Sequence, residues 1–125
     1  MPLSVSVFGA AGFTGALTAR LLFRHPSFDL RAVTSRSDVG RRLDDLYPYH
    51  RVPLVLEELD LDRQADVDGA VVAYPHGAAA PLVAALRSRG VRVVDLSADF
   101  RLRDPAVYEL WYREHPFPSM LDQAV

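Results

Sequence analysis

The strongest constraint on the fold of this chain is a set of three evenly spaced glycines near its N-terminus. They lie between a strand pattern at Ser4–Phe8, rich in β-branched residues, and a helix pattern at Thr14–Arg24, with leucines at helical spacing. The turn reads G-x-x-G-x-x-G over Gly9–Gly15. A glycine turn in this position is typical of parallel α/β folds in which a helix N-terminus receives a phosphate.

Each glycine in this turn has a separate predicted task. Gly9 permits a tight turn, Gly12 lets a ligand approach the backbone, and Gly15 lets the helix pack close to the strand. Exposed amides and the helix dipole then favour a pyrophosphate. A strand–helix connection that needs glycine for shape alone stays open as an alternative. We predict a dinucleotide site formed by Gly9, Ala11, Gly12, Phe13, Thr14 and Gly15.

Beyond this turn, strand and helix patterns continue to alternate. Strands are predicted at Leu30–Thr34, Val52–Leu56, Ala70–Ala73 and Val91–Asp95, and helices at Ala78–Arg89 and from Asp104 to Tyr112, with Arg36–Arg51 irregular. This alternation predicts the α/β class: a doubly wound, Rossmann-type parallel sheet in three layers. The 125 residues suit one domain. The last of them show no clear end of a domain, and we expect them to be the start of a further segment.

Composition excludes several classes of function. The net charge is −2 with no concentrated basic face, so we expect no nucleic-acid or membrane-surface partner. No apolar run approaches the roughly 18 residues that span a bilayer, and no secretory signal opens the chain, so we expect a cytoplasmic protein. There are no cysteines, which excludes disulfides, cysteine metal sites and a thiol nucleophile within this chain, and we expect no metal site.

The end of the second strand indicates which dinucleotide is bound. An NAD site places an acidic residue there to hold the ribose hydroxyls, whereas this chain has Ser35, Arg36 and Ser37. Hydroxyls and a guanidinium suit a 2′-phosphate, so we predict NADP as the cofactor. Two features oppose this interpretation: Asp38 lies nearby, and Arg36 can instead be a solvated loop residue.

Two later loops also fall at the carboxyl end of the predicted sheet. After the fourth strand, Pro75, His76 and Gly77 form a loop that can lie along the dinucleotide, although the histidine can equally be a turn residue. After the fifth strand, the polar side chain of Ser97 and the charged side chain of Arg101 lie where a ligand is expected, and Arg101 is a candidate for binding a phosphate. The alternative for this second loop is a structural network of ion pairs that involves the neighbouring aspartates.

The motifs VSVFGAAGFTG, AVTSRSDVGRRL, YPHG and DLSADFRLRDPAVYELWY together resemble the N-terminal domain of N-acetyl-γ-glutamyl-phosphate reductases. They cover almost the whole chain in the family's order, and DLSADFR is the specific segment; aspartate-semialdehyde dehydrogenases have a looser version of it. The resemblance implies a small-molecule acyl phosphate as substrate, with Arg101 binding its phosphate and Ser97 nearby. Tyr74 departs from the family, which usually has an aliphatic residue there.

The reaction implied by the resemblance is a step of arginine biosynthesis. NADPH reduces the N-acetyl-glutamyl phosphate to the semialdehyde, and phosphate is released. In the family a cysteine after an Asn-Pro-Gly segment forms a thioester, and a histidine assists proton transfer. Both lie downstream of Val125 in the family, so no catalytic residue is assigned here and the chain alone is expected to be inactive. The full-length protein is expected to be a homo-oligomer.

Two further readings remain open. The lysine-pathway counterpart, which reduces an α-aminoadipyl phosphate held on a carrier protein, shares these N-terminal motifs. A non-catalytic NADP-binding regulatory module with a similar VFGAAGFTG start explains the missing cysteine, although it does not explain DLSADFR.

Overall fold

The computed structural model describes residues 2–75, 77–97, 100, 106, 117, 120 and 121. The strands are β1 (Leu3–Phe8), β2 (Phe28–Thr34), β3 (Leu56–Glu57), β4 (Gly69–Val72) and β5 (Arg92–Asp95). The helices are α1 (Phe13–Arg24), α2 (Leu43–Leu46), α3 (Leu61–Gln64) and α4 (Ala79–Ser88), and Pro48–His50 forms a 3₁₀ turn. The strands form one parallel sheet in the order β3-β2-β1-β4-β5.

Helices cover both faces of this sheet. Successive side chains of a strand point to opposite faces, so Val7 packs in the cluster that contains Ala16 and Ala19 of α1, while Phe8 packs in the cluster that contains Leu82 and Leu86 of α4. All six of these residues are buried. The predicted doubly wound, three-layer α/β fold is confirmed.

The strand order reverses between β1 and β4, the two central neighbours of the sheet. From β1 the chain proceeds outward to β2 and β3, and it then returns to place β4 on the other side of β1. The connections that leave β1 and β4 therefore diverge to opposite faces, and a crevice opens between them at the carboxyl ends of the strands.

The glycine turn joins β1 to α1 through close backbone contacts. Gly9 has φ +89°, in the left-handed region that glycine adopts without strain. A Cβ on Gly15 would collide with the carbonyl oxygen of Gly9, so the helix can approach the strand this closely only without a side chain at position 15. The shape-related tasks predicted for these two glycines agree with this geometry.

The predicted third strand is wrong in its bounds, since β3 comprises Leu56–Glu57 rather than Val52–Leu56. Most of the predicted strand pairs with residues 41–43 instead of with the sheet. Leu43 N donates to Leu54 O at 2.9 Å, and Leu56 N donates to Arg41 O at 2.8 Å. The chain from residue 40 thus folds back onto this segment and takes the hydrogen bonds that a longer strand would use.

The remaining bounds differ from the prediction by small amounts. β2 begins at Phe28, two residues before the predicted Leu30, and the segment predicted to be irregular contains α2 and the 3₁₀ turn. The helix predicted from Asp104 to Tyr112 lies outside the described residues, except for Ala106, which is helical. None of the described helices is long and apolar enough to cross a membrane.

Replacing Gly15 with alanine should destabilise the fold. The added Cβ must displace either α1 or the end of β1, and overpacking of this kind costs about 3 kcal/mol of the free energy of unfolding. Urea unfolding followed by circular dichroism measures this loss. The matched change Gly12→Ala adds a Cβ with no atom within 4 Å and should cost less than about 1 kcal/mol. Equal losses in both variants would contradict this account.

Candidate functional site

The loops that follow β1, β2 and β4 meet at the crevice. Ala10 N donates to Thr34 O at 2.8 Å, and Gly9 N donates to the Thr34 hydroxyl at 3.3 Å. Ala73 N donates to Phe8 O at 2.8 Å. These bonds continue the sheet beyond its strands and bring together the glycine turn, the Ser35–Ser37 loop and the loop after β4.

The N-terminus of α1 opens into this crevice. Gly12 is the N-cap, and no side chain caps the helix. Gly12 is exposed, as are Phe13 and Thr14 at the start of the helix. Its φ is −78°, which suits any residue, and no atom lies within 4 Å of the position that a Cβ would take. Neither backbone strain nor a protein neighbour therefore requires glycine at position 12, whereas an anion seated against the backbone amides would.

The Ser35–Ser37 loop is built around a buried hydroxyl. Ser35 Oγ accepts hydrogen bonds from Ser37 N at 3.2 Å and Asp38 N at 3.0 Å. Ser37 Oγ donates to the Asp38 carboxylate at 2.9 Å, and that carboxylate also lies 3.7 Å from the guanidinium of Arg41. Asp38 is therefore engaged by its own loop, and its negative charge is partly offset there.

Arg36 projects from this loop over the ring of Tyr74. Its guanidinium carbon lies 5.8 Å from the ring centroid, within the range of a cation–π contact. Within the described part of the chain, Arg36 forms no ion pair. Burial raises the pKa of the Tyr74 phenol above its ordinary value, against the opposing effects of a hydrogen bond with Thr34 and the charge of Arg36. The ring is thus neutral at physiological pH, and its face is available to the cation.

Arg36 and Tyr74 line a cavity of about 650 Å³ that continues between the loops after β2 and β3 and the start of α4. Leu59, Pro81 and Leu82 supply apolar walls. The cavity thus combines a flat aromatic surface, aliphatic walls, the guanidinium of Arg36 and the acidic residue Glu58, and its aromatic and aliphatic surfaces suit a planar ring.

The loop after β4 is only partly described. Pro75 is exposed, and its carbonyl oxygen accepts a hydrogen bond from Ala78 N at 3.0 Å. Gly77 has φ +83° and leads the chain into α4. His76 lies outside the described residues. The predicted contacts of these three residues with a cofactor remain a prediction.

The turn after β5 is held by a carboxylate. Ser97 is buried, and its backbone N and its hydroxyl donate to the two oxygens of Asp95 at 2.9 and 3.0 Å. A serine hydroxyl has one proton to donate, so in this arrangement it donates to Asp95 rather than to a phosphate. Arg101 and Asp99 lie outside the described residues. The phosphate-binding roles predicted for Ser97 and Arg101 therefore stay predictions.

Sequence reasoning missed one residue at the glycine turn. The hydroxyl of Tyr47 donates to the carbonyl oxygen of Ala11 at 2.7 Å. Its ring stacks on His50 with centroids 5.2 Å apart and meets Phe13 edge-on at 6.1 Å. No local pattern marks this tyrosine, because the two bonded residues lie 36 positions apart.

Within the described residues, no cluster of metal-ligating side chains is present.

A parallel sheet with this strand order, and with a glycine turn at a helix N-terminus beside the reversal point, defines the class of Rossmann-type nucleotide-binding domains. Residues 4–115 match the family model described as the semialdehyde dehydrogenase, NAD binding domain. The chain belongs to this family. The resemblance seen in its motifs is thereby confirmed at the level of the family.

Individual relatives agree with this assignment. The chain is 48% identical over 121 residues to an N-acetyl-gamma-glutamyl-phosphate reductase of Dehalococcoides mccartyi, covering 95% of this chain and 35% of the relative. It is 46% identical over 127 residues to a protein of Cenarchaeum symbiosum named as a putative [LysW]-L-2-aminoadipate/[LysW]-L-glutamate phosphate reductase, covering 98% of this chain and 36% of the relative. The chain thus spans about a third of the length of these relatives.

A solved structure supports the fold. Aspartate semialdehyde dehydrogenase from Candida albicans, determined with NADP, superposes with a TM-score of 0.72 at 20% identity. The match covers 84% of this chain and 32% of that one. At this level of identity the comparison supports the architecture alone, and it confirms the fold already described.

Replacing Gly12 with alanine should separate ligand binding from stability. The new Cβ meets no protein atom, but it occupies the space beside the amides of the turn. Dinucleotide affinity should fall at least about tenfold, because the Cβ would displace the ligand and no protein atom. Isothermal titration calorimetry with NADP and NAD measures the effect. Unchanged affinity for both would show that no ligand approaches this glycine.

Proposed function

We propose that this chain is the NADP-binding part of an N-acetyl-γ-glutamyl-phosphate reductase. The observation that carries the proposal is the uncapped N-terminus of α1, where Gly12 faces open space beside the reversal point of the sheet. The match to the D. mccartyi reductase over 95% of the chain supports the particular reaction. In that reaction the acyl phosphate is reduced to the semialdehyde and inorganic phosphate leaves.

The cofactor would lie across the three loops of the crevice. Its pyrophosphate fits the amides between Gly12 and Gly15, where the helix dipole favours negative charge. Its adenine fits the cavity beside Tyr74, and its 2′-phosphate would meet the guanidinium of Arg36. When bound, NADPH supplies the hydride; the residues of this chain bind it and set its orientation.

The remaining chemistry would come from beyond this domain. This chain has no cysteine, so the nucleophile that forms the thioester would have to come from another part of the full gene product. The family resemblance places the assisting histidine there as well. Arg101 would bind the phosphate of the substrate, and Ser97 would support the turn that carries it. The full-length protein would act as a cytoplasmic homo-oligomer on a small-molecule substrate.

The lysine-pathway reductase is the second candidate function, favoured by the 46% identity to the C. symbiosum protein. The two candidates differ in substrate, so the full gene product should be assayed with N-acetyl-glutamyl phosphate and with carrier-bound α-aminoadipyl phosphate. NADPH oxidation with the first substrate supports the proposal, and oxidation with the second alone replaces it. Tight NADP binding without either activity favours a regulatory module.

Arg36→Ala should weaken binding of NADP and spare NAD. A charge-assisted hydrogen bond to the 2′-phosphate is lost, so the dissociation constant for NADP should rise about 10- to 100-fold. Calorimetric titration with both dinucleotides tests this. Arg87→Ala is the matched control, since Arg87 lies in the last turn of α4 and does not line the cavity. An equal loss for NAD and NADP in the Arg36 variant would remove the basis for NADP preference.

A further inference from the structure

We propose that Tyr47 is a positioning residue for the pyrophosphate site: its hydroxyl holds the Ala11 carbonyl and thereby directs the Gly12 N–H into the crevice. The proposal rests on the proposed function, because it concerns how the same glycine turn is prepared for its ligand. The contact that carries it is the 2.7 Å hydrogen bond from Tyr47 Oη to Ala11 O.

The direction of the Gly12 N–H follows from the planarity of the peptide bond. The described part of the chain has no cis peptide, so the Ala11 carbonyl and the Gly12 N–H lie in one plane and point in opposite directions. Tyr47 binds the carbonyl on the protein side. The N–H therefore points away from Tyr47, and within the described residues it donates to no protein acceptor.

This peptide needs an external restraint because glycine follows it. A peptide flip changes ψ of residue 11 and φ of residue 12, and glycine accepts positive and negative φ almost equally. The flipped form would present the Ala11 carbonyl, an acceptor, to an anion and would withdraw the donor. The hydrogen bond from Tyr47 favours the form in which the donor faces the crevice.

Tyr47 itself is well anchored. Its backbone N donates to Leu43 O at 2.9 Å, and the Leu43 side chain is fully buried in the core beneath α1. Its ring lies between Phe13 and His50 in the contacts described above. Tyr47, which follows α2 in the segment predicted to be irregular, thus connects the buried Leu43 to the glycine turn.

The experiment uses the full gene product and the variant Tyr47→Phe, which retains both ring contacts and removes only the hydroxyl. Tyr49→Phe is the matched control, since Tyr49 is 90% exposed. Dissociation constants are measured for NADP, for NAD and for adenosine 2′-monophosphate, which lacks a pyrophosphate. Melting temperatures of the unliganded proteins are measured alongside.

For Tyr47→Phe we expect a loss of affinity of about three- to tenfold, equal for NADP and NAD, as one hydrogen bond is removed. Affinity for adenosine 2′-monophosphate and all affinities of Tyr49→Phe should stay unchanged. Unchanged dinucleotide binding in Tyr47→Phe overturns the proposal while leaving the proposed function intact. An equal loss for adenosine 2′-monophosphate, or a large fall in melting temperature, overturns it as well, since the effect is then structural. Absence of dinucleotide binding by the unmodified protein overturns both.

Discussion

The structure depends on one close approach of backbone to backbone, where the end of β1 meets both the start of α1 and the strand beside it. The carbonyl oxygen of Gly9 lies where a side chain at Gly15 would be, and Ala73 O lies 2.7 Å from the position of a Cβ on Gly9. Because these groups have no side chains between them, α1 begins immediately above the sheet. Tyr74, which lines the cavity described above, lies beside Gly9 at the start of the same turn.

Side chains from distant parts of the chain stabilise the glycine turn, although they do not form it. Thr34 accepts from Gly9 N through its hydroxyl and from Ala10 N through its carbonyl, so β2 fixes the first half of the turn. Tyr47 fixes the Ala11 carbonyl from the opposite side. Among the residues that the structure describes, the Gly12 N–H at the N-terminus of α1 has no such partner. A site with preorganised donors and few other demands on them needs little rearrangement to receive an anion.

The sequence predicted the parallel sheet with its alternating helices, and the glycine turn, because both leave local patterns: alternating strand and helix segments and evenly spaced glycines. It could not predict that residues 40–43 would pair with Leu54 and Leu56. The apolar segment around these leucines can pair either with β2 or with residues 40–43, and the local pattern does not distinguish the two partners. Similarly, Ser35 was predicted to contact the cofactor, and that contact stays a prediction; its hydroxyl also accepts hydrogen bonds from two amides of its own loop, which the sequence did not indicate. The contributions of Tyr47 and Tyr74 depend on contacts between distant segments, which no spacing rule records.

The neighbours of Gly9 have a consequence for how such a domain can diversify. A Cβ there would come within 2.9 Å of the Tyr74 ring and within 2.7 Å of the Ala73 carbonyl, so replacing the tyrosine leaves the main-chain contact and the positive φ of Gly9 unchanged as obstacles. Residue 9 is held to glycine by main chain, whereas residue 74 is not held by residue 9. Exchange of residue 74 would therefore reshape the aromatic wall of the cavity, while the main-chain contact with Ala73 would still require glycine at residue 9.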